Sequence, residues 1–437
     1  MSTIEETTRT PKHESPLLAG QSSQSLNEHF QGYMRRLKSG DLGSMPIILG
    51  LVVIAIIFQT QNDNFLTPRN FVNLVLQMAG ITVIAYGIVF VLLLGEIDLS
   101  VGFVSAVGGV GMTILLRSGV DLSFLSFILP DSVISAFAPE GGWAWYVAIP
   151  TALLLTAAIG FLHGMIITLF QLPSFVVTLA GLLAWNGVVL ILVGQGGTII
   201  IQDRVAVGLG NAFLPDTWGW IVMFGAIGLY ALNLALRYRT RTKQGLATKP
   251  ITLLALQVAV LAVLGIIFVY IANQDRGVPV VGIIMVVWLV VLTFLAERTR
   301  FGRYVYAIGG NKEAARRAGI PVERIRVLVF TISGFMAGFG GLILASRLRS
   351  VATNAGGGNL LLNAIAAAVI GGTSLFGGRG RVNSAILGAL IIASVDNGMG
   401  LLGLSSGNKF IITALVLLAA VVIDAVSRRR QEQSGIR

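Results

Sequence analysis

Two carboxylates, Glu96 and Asp98, stand in the octapeptide GEIDLSVG at 95–102. It lies between an almost wholly apolar run, 71–94, and an apolar, glycine-rich run, 101–116. An acidic side chain at bilayer depth costs about 2.5–3.5 kcal/mol on insertion scales. Such groups face a bundle interior or a wet cavity, and by default they mark a functional site. Their chemistry is acceptance, because an ionised carboxylate takes hydrogen bonds from hydroxyl donors. The structural alternative is that Asp98 or Ser100 simply caps a helix beginning near Val101, where an anion also suits the dipole. For Asp98 the cap is the favoured reading, since capping a half-helix inside a bundle satisfies its backbone. For Glu96 both readings stand.

Other polar groups interrupt the apolar sequence. His163 in FLHGM has no obvious serine partner or second titratable group nearby, which favours a packing role over a proton relay or a nucleophile–base pair. Asp396 in Asp396-Asn397-Gly398 either binds a solute or ends a half-helix. Thr373 and Ser374 follow Gly372, where glycine lets backbone approach a partner or a cavity. Phe175 and Thr178 are three apart and so share a helix face. Ordinary packing explains either of them singly.

The elements that must hold these groups are membrane helices. The 437 residues are 55% hydrophobic and 12% charged, too apolar for a soluble domain of this length, and apolar runs of about 18 residues recur. They lie near 46–60, 70–94, 101–117, 144–170, 174–194, 218–236, 251–271, 280–296, 327–346, 359–376, 384–404 and 408–426. The fold class expected is therefore all-α: a polytopic membrane protein of about 10–12 transmembrane helices with discontinuous or re-entrant segments. Fifty-three glycines fit helices packed through small residues. The chain has no cysteine, which excludes disulfides, thiol catalysis and thiolate metal sites. Its three histidines are scattered, so no metal and no cofactor is expected.

Positive charge is localised. Arg35, Arg36 and Lys38 precede the first span, and Arg428, Arg429 and Arg430 follow the last. Arg237, Arg239, Arg241, Lys243 and Lys249 fill one loop, and eight basic residues fall between Glu297 and Arg326. By the positive-inside rule both termini are cytoplasmic. That topology explains the basic loops without nucleic acid. Residues 1–45 read as a polar, disordered tail without a signal peptide, 46–427 as the transmembrane domain and 428–437 as a short tail. No GxxxxGK[ST] phosphate loop occurs, so the chain is expected to hydrolyse no ATP itself.

Between two spans, GGNKEAARRAGIP at 309–321 carries its own start and stop signals. Asn311 is the expected N-cap and Glu313 sits at the positive end of the dipole. Ala314, Ala315 and Ala318 favour helix, Gly319 suits a left-handed C′ position and Pro321 forbids continuation. A helix this short is unstable alone and needs a partner surface.

GEIDLSVG, GGNKEAARRAGI and AIAAAVIGGTSLFGGRG (364–380) in that order, with LPSFVVTLAG (172–181), resemble the membrane permeases of bacterial sugar-importing ABC transporters of the ribose, galactose, arabinose and xylose type. The matches span about 71–403. The resemblance implies a homodimer in the bacterial inner membrane that docks on an ABC ATPase inside the cell. It also implies an extracytoplasmic sugar-binding protein as the donor and membrane lipid around the bundle. Coupling would fall to Asn311, Glu313, Ala314, Ala315 and Gly319. The substrate pathway would involve Glu96, Asp98, Ser100, Phe175, Thr178, Asn363, Thr373, Ser374 and Asp396. The extra length, at the N-terminus, at 118–143 and in an added hydrophobic hairpin around 237–280, looks most like the xylose branch. That points to D-xylose or a related pentose. Asn363 stands where many relatives carry an acid, and Asn186-Gly187 where they often carry Arg-Gly, so no charge-dependent role transfers to either place. An ion-coupled transporter or channel is the competing reading, but it has no use for the capped cytoplasmic helix.

Overall fold

The computed structural model describes residues 45–119, 141–246 and 250–416, with residues 126, 128, 130, 132, 135, 248, 418 and 422. The two expected tails and most of the 118–143 loop lie outside these residues. Each expected apolar segment carries a helix.

In chain order these are α1 (Met45–Gln61), α2 (Pro68–Leu93), α3 (Val101–Ser118), α4 (Trp145–Leu169) and α5 (Ser174–Val193). The short pieces β1 (Thr198–Ile200), α6 (Arg204–Asn211) and β2 (Phe213–Leu214) follow. Then come α7 (Asp216–Lys243), α8 (Ile251–Asn273), β3 (Val278–Pro279) and α9 (Val280–Arg298). Next are α10 (Arg300–Gly310), α11 (Lys312–Arg317), α12 (Val322–Leu348) and β4 (Ser350–Ala352). The chain continues with α13 (Leu360–Ile370), α14 (Val382–Leu401) and a helical stretch over 406–416. Among the described residues, nine helices are long and apolar enough to cross a membrane, and the fold is an all-α polytopic membrane protein.

The chain divides into two compact units. Among the described residues, one holds Thr217–Tyr270 and the other those up to Asp216 and from Ile271 onward. The first contains most of α7 and α8, which meet where Gly265 lies against Met223. Helix α7 runs beyond its expected apolar segment, 218–236. Residues 237–243, expected as a basic loop, continue α7 as helix to Lys243. Arginine and lysine are good helix formers and suit the negative end of the dipole, so the helix outlasts its apolar stretch.

In the second unit α12 packs against α2, α3 and α4. Its GFMAGFGG stretch allows backbones to touch: a Cβ on Gly341 would lie 1.8 Å from the Ser105 carbonyl oxygen of α3. This is small-residue packing of the kind that holds membrane bundles together. Helix α2 is the most deeply buried, starting at Pro68 behind Thr67, whose hydroxyl accepts the Asn70 N–H.

The connections of this unit gather at two poles. At one, the far pole, β1 pairs antiparallel with β4 and β2 with β3. Asn62 after α1 donates there to the Leu401 carbonyl at the end of α14. At the other, the near pole, lie 94–100, 171–174, α10, α11 and 371–381. Helix α13 is the discontinuous element. It ends at Ile370 after 11 residues, short of the expected 359–376, because two positive-φ glycines, Gly372 and Gly377, break the run. The segment then turns on a bond from the Ser374 N–H to the Arg379 carbonyl.

Candidate functional site

The four sequence motifs, far apart in the chain, converge at the near pole. The Gly378 N–H donates to the Leu93 carbonyl at 2.9 Å, joining the glycine-rich 371–381 segment to the GEIDLSVG turn. The Ile97 N–H donates to the Ser174 hydroxyl and Thr178 reaches the Ile97 carbonyl, which brings in the LPSFVVTLAG segment. Tyr306 of α10 donates to the Gly380 carbonyl at 2.9 Å. Arg326, in the first turns of α12, donates through Nε to Glu96 in an ion pair whose side chains are only 15% and 13% exposed. Burial raises the Glu96 carboxyl above the usual carboxylate range, and the Arg326 charge opposes that shift.

Helix α11 has the ends its sequence predicts. Asn311 Oδ1 accepts the Ala314 N–H at 2.9 Å. At the other end the Ile320 N–H reaches the Ala315 carbonyl and the Gly319 N–H the Arg316 carbonyl, with Gly319 at φ +79°. This pair of bonds is a Schellman cap. Arg316 joins Glu313 on α11 to Glu323 on α12, through exposed ion pairs of small energetic weight. The residues expected to couple differ in burial. Ala315 is buried against the chain itself, whereas Asn311, Glu313, Ala314, Ala318 and Gly319 are exposed. On one turn of helix a single face must rest on the bundle, and Ala315 occupies it.

Asp98 and Ser100 sit in a buried network rather than in a plain cap. Ser100 occupies the N-cap position of α3, but its side chain makes no capping bond. Asp98 Oδ1 accepts both the Ser100 N–H and the Ser100 hydroxyl, and its Oδ2 accepts the Ser333 hydroxyl of α12. Ser100 Oγ lies 3.2 Å from His163 Nδ1 on α4, and Trp185 Nε1 of α5 donates to His163 Nε2 at 3.1 Å. Indole is a donor only, so Nε2 accepts and the neutral ring carries its proton on Nδ1. Hydrogen bonds therefore run one way, from Trp185 through His163 and Ser100 to Asp98. They tie α3, α4, α5 and α12 together. His163 thus has the serine partner that sequence reading missed. The pair is 63 residues apart, and no local signal joins it.

The remaining pathway residues do not form one site. Thr178 is buried and donates to the Ser174 carbonyl, while Phe175 is 51% exposed, so the two do not share an environment despite their spacing. Asn363, Thr373 and Ser374 are buried, and Asn363 Oδ1 and Thr373 Oγ1 have no partner among the described residues. Asp396 alone among the nine lines an open cavity of about 440 Å³ at the far pole. Its walls come from α2, α12, Leu360 of α13, α14 and Lys409 of the 406–416 helix. Asn70 and Asn397 exchange amide hydrogen bonds at 2.8 and 3.0 Å, and Asn397 also donates to Gln77 Oε1. Among the described residues no cluster of three or more histidine, aspartate or glutamate side chains is placed to hold a metal.

A multi-pass bundle with a capped, exposed helix at one pole and a polar cavity at the other suits a membrane permease. The family model described as branched-chain amino acid transport system / permease component matches residues 70–421, and the chain belongs to this family. The xylose transport system permease protein XylH of Escherichia coli (strain K12) is 36% identical over 400 residues, covering 90% of this chain and 94% of that protein. Its counterpart in Haemophilus influenzae is 34% identical over 91% of this chain and its own whole length. The ribose import permease protein RbsC of Bacillus subtilis is 32% identical over 91% of this chain and 94% of its own. No solved structure matches the chain.

Proposed function

We propose that this chain is the membrane-spanning subunit of an ATP-driven importer for a monosaccharide, D-xylose or a related pentose. The observation that carries the reading is the near pole. Four motifs distant in sequence meet beneath a helix capped at both ends, whose outward face is small and exposed. Such a face fits the groove of a cytoplasmic ATPase. Asn311, Glu313, Ala314 and Gly319 make that contact, and Ala315 seats the helix on the bundle. The near pole then faces the cytoplasm with both termini, as the basic residues of α10–α12 favour. The far pole receives sugar from an extracytoplasmic binding protein. Two copies form the working permease in a bacterial inner membrane, and ATP hydrolysis resides on the partner chain.

Full-length similarity to xylose and ribose permeases supports a sugar over the amino acids of the family description. The test is uptake of labelled D-xylose by cells that lack the chain and by the same cells with it restored. Uptake should return with the chain, survive a protonophore while ATP is maintained, and stop when ATP is depleted. Uptake that follows the proton gradient instead would establish an ion-coupled transporter.

A further inference from the structure

The structure assigns the far-pole cavity lined by Asp396, Arg347 and Gln77 as a low-affinity site for a neutral polyhydroxylated ligand. This rests on the permease reading and locates its substrate. The volume, about 440 Å³, falls within the ~300–1,000 Å³ of small-molecule sites. The lining carries one carboxylate, Asp396, and two cations, Arg347 and Lys409. Among the described residues the side chains of these three groups make no hydrogen bond and no ion pair within 4 Å, although each faces the same space. Asp396 is exposed on an otherwise buried stretch of α14, with Val395 and Asn397 buried on either side.

The neighbouring amides are already committed, and their commitment sets what remains. Asn70 and Asn397 satisfy each other, Gln77 Oε1 accepts from Asn397, and Asn73 Oδ1 accepts from Arg276. Gln77 therefore turns its NH₂ outward as a donor, beside the guanidinium and the ammonium, while Asp396 supplies acceptors. A hydroxyl group both donates and accepts, so a ring of hydroxyls matches this mixed set better than an anion or a cation does. No aromatic side chain lines the cavity, so the stacking face that tightens sugar binding is missing. The site is built for transit rather than retention.

The chain lacks cysteine, which gives a direct test. Gly400 lines the cavity, and a Cβ there meets nothing closer than Lys409 Nζ at 3.8 Å. In the purified full chain, Gly400→Cys should react with a maleimide, and D-xylose should slow that reaction in a saturable way. Thr242→Cys, on α7 and exposed, should react at the same rate with or without the sugar. Leu360→Cys reports on the same cavity if Gly400→Cys expresses poorly. Adding Asp396→Ala to Gly400→Cys should raise the D-xylose concentration needed for half-protection about tenfold or more. Unchanged labelling of both cavity cysteines at saturating sugar would overturn the assignment. So would protection by D-xylonate and not by D-xylose, which would give the cavity to an anion. Restored D-xylose uptake with no protection would discard this site and keep the permease reading. Absent uptake with protection intact would discard the importer and keep the site.

Discussion

At the scale of single residues, the two carboxylates of GEIDLSVG have separate duties. Asp98 is a pure acceptor inside the bundle, at the end of a one-way chain of donors. Asparagine keeps an oxygen toward Ser100, and the Ser333 hydroxyl rotates to accept its amide. Asp98→Asn should therefore unfold within about 1 kcal/mol of the parent, whereas Asp98→Ala strands buried hydroxyls and should cost about 1–3 kcal/mol. Denaturant unfolding in detergent measures both. An Asn variant as damaged as the Ala variant would mean that the charge itself is needed. Glu96 instead holds Arg326 across the junction of the GEIDLSVG turn and α12. Glu96→Gln should lower uptake while leaving D-xylose protection of Gly400→Cys intact, because it lies at the opposite pole. Pairing Glu96→Arg with Arg326→Glu should recover part of the loss. Lost protection in Glu96→Gln would place Glu96 in the sugar route after all.

At the scale of elements, α11 buries one face, at Ala315, and exposes the other, at Ala314, Ala318 and Gly319, which the proposed function gives to the ATPase. Trp at exposed Ala318 should leave expression and thermal stability unchanged, yet weaken pull-down of the ATPase and abolish uptake. Trp at buried Ala315 should destabilise the fold itself, since the side chain has no room. Equal behaviour of the two variants would remove the distinction between faces. This helix was almost fully legible in sequence, because its caps are local: Asn311 bonds three residues ahead, and Gly319 and Ile320 close on Arg316 and Ala315. The membrane helices were legible for the same reason, since apolar runs are continuous in the chain. What sequence hid was which groups meet. Phe175 and Thr178 have the spacing of one face, yet only Thr178 is buried. His163 finds Ser100, and Asn397 finds Asn70 across 327 residues, through helix packing that no short window records. The cavity shares this origin. Of its polar lining, Asp396 and Asn397 stood out in sequence, whereas Asn70, Asn73 and Gln77 lie in an ordinary polar start to α2.

At the scale of the whole molecule, the near and far poles lie at opposite ends of α2 and α12. The proposed function gives the near pole to the ATPase and the far pole to the solute. Helix α7 carries Arg237, Arg239, Arg241 and Lys243 on its last turns. An unbroken α12 links Arg326, at the ion pair with Glu96, to Arg347, at the cavity. At 1.5 Å per residue, that is about 30 Å of rigid helix.

The measurement that bears most directly on this two-pole account is the sidedness of two single cysteines in cells. Ala318→Cys lies on α11 and Gly400→Cys in the cavity. A membrane-impermeant maleimide applied to intact cells should label position 400 and spare position 318. Permeabilisation, in cells lacking the ATPase, should expose position 318 as well. Labelling of position 318 from outside, with position 400 reached only after permeabilisation, would invert the molecule and contradict the account.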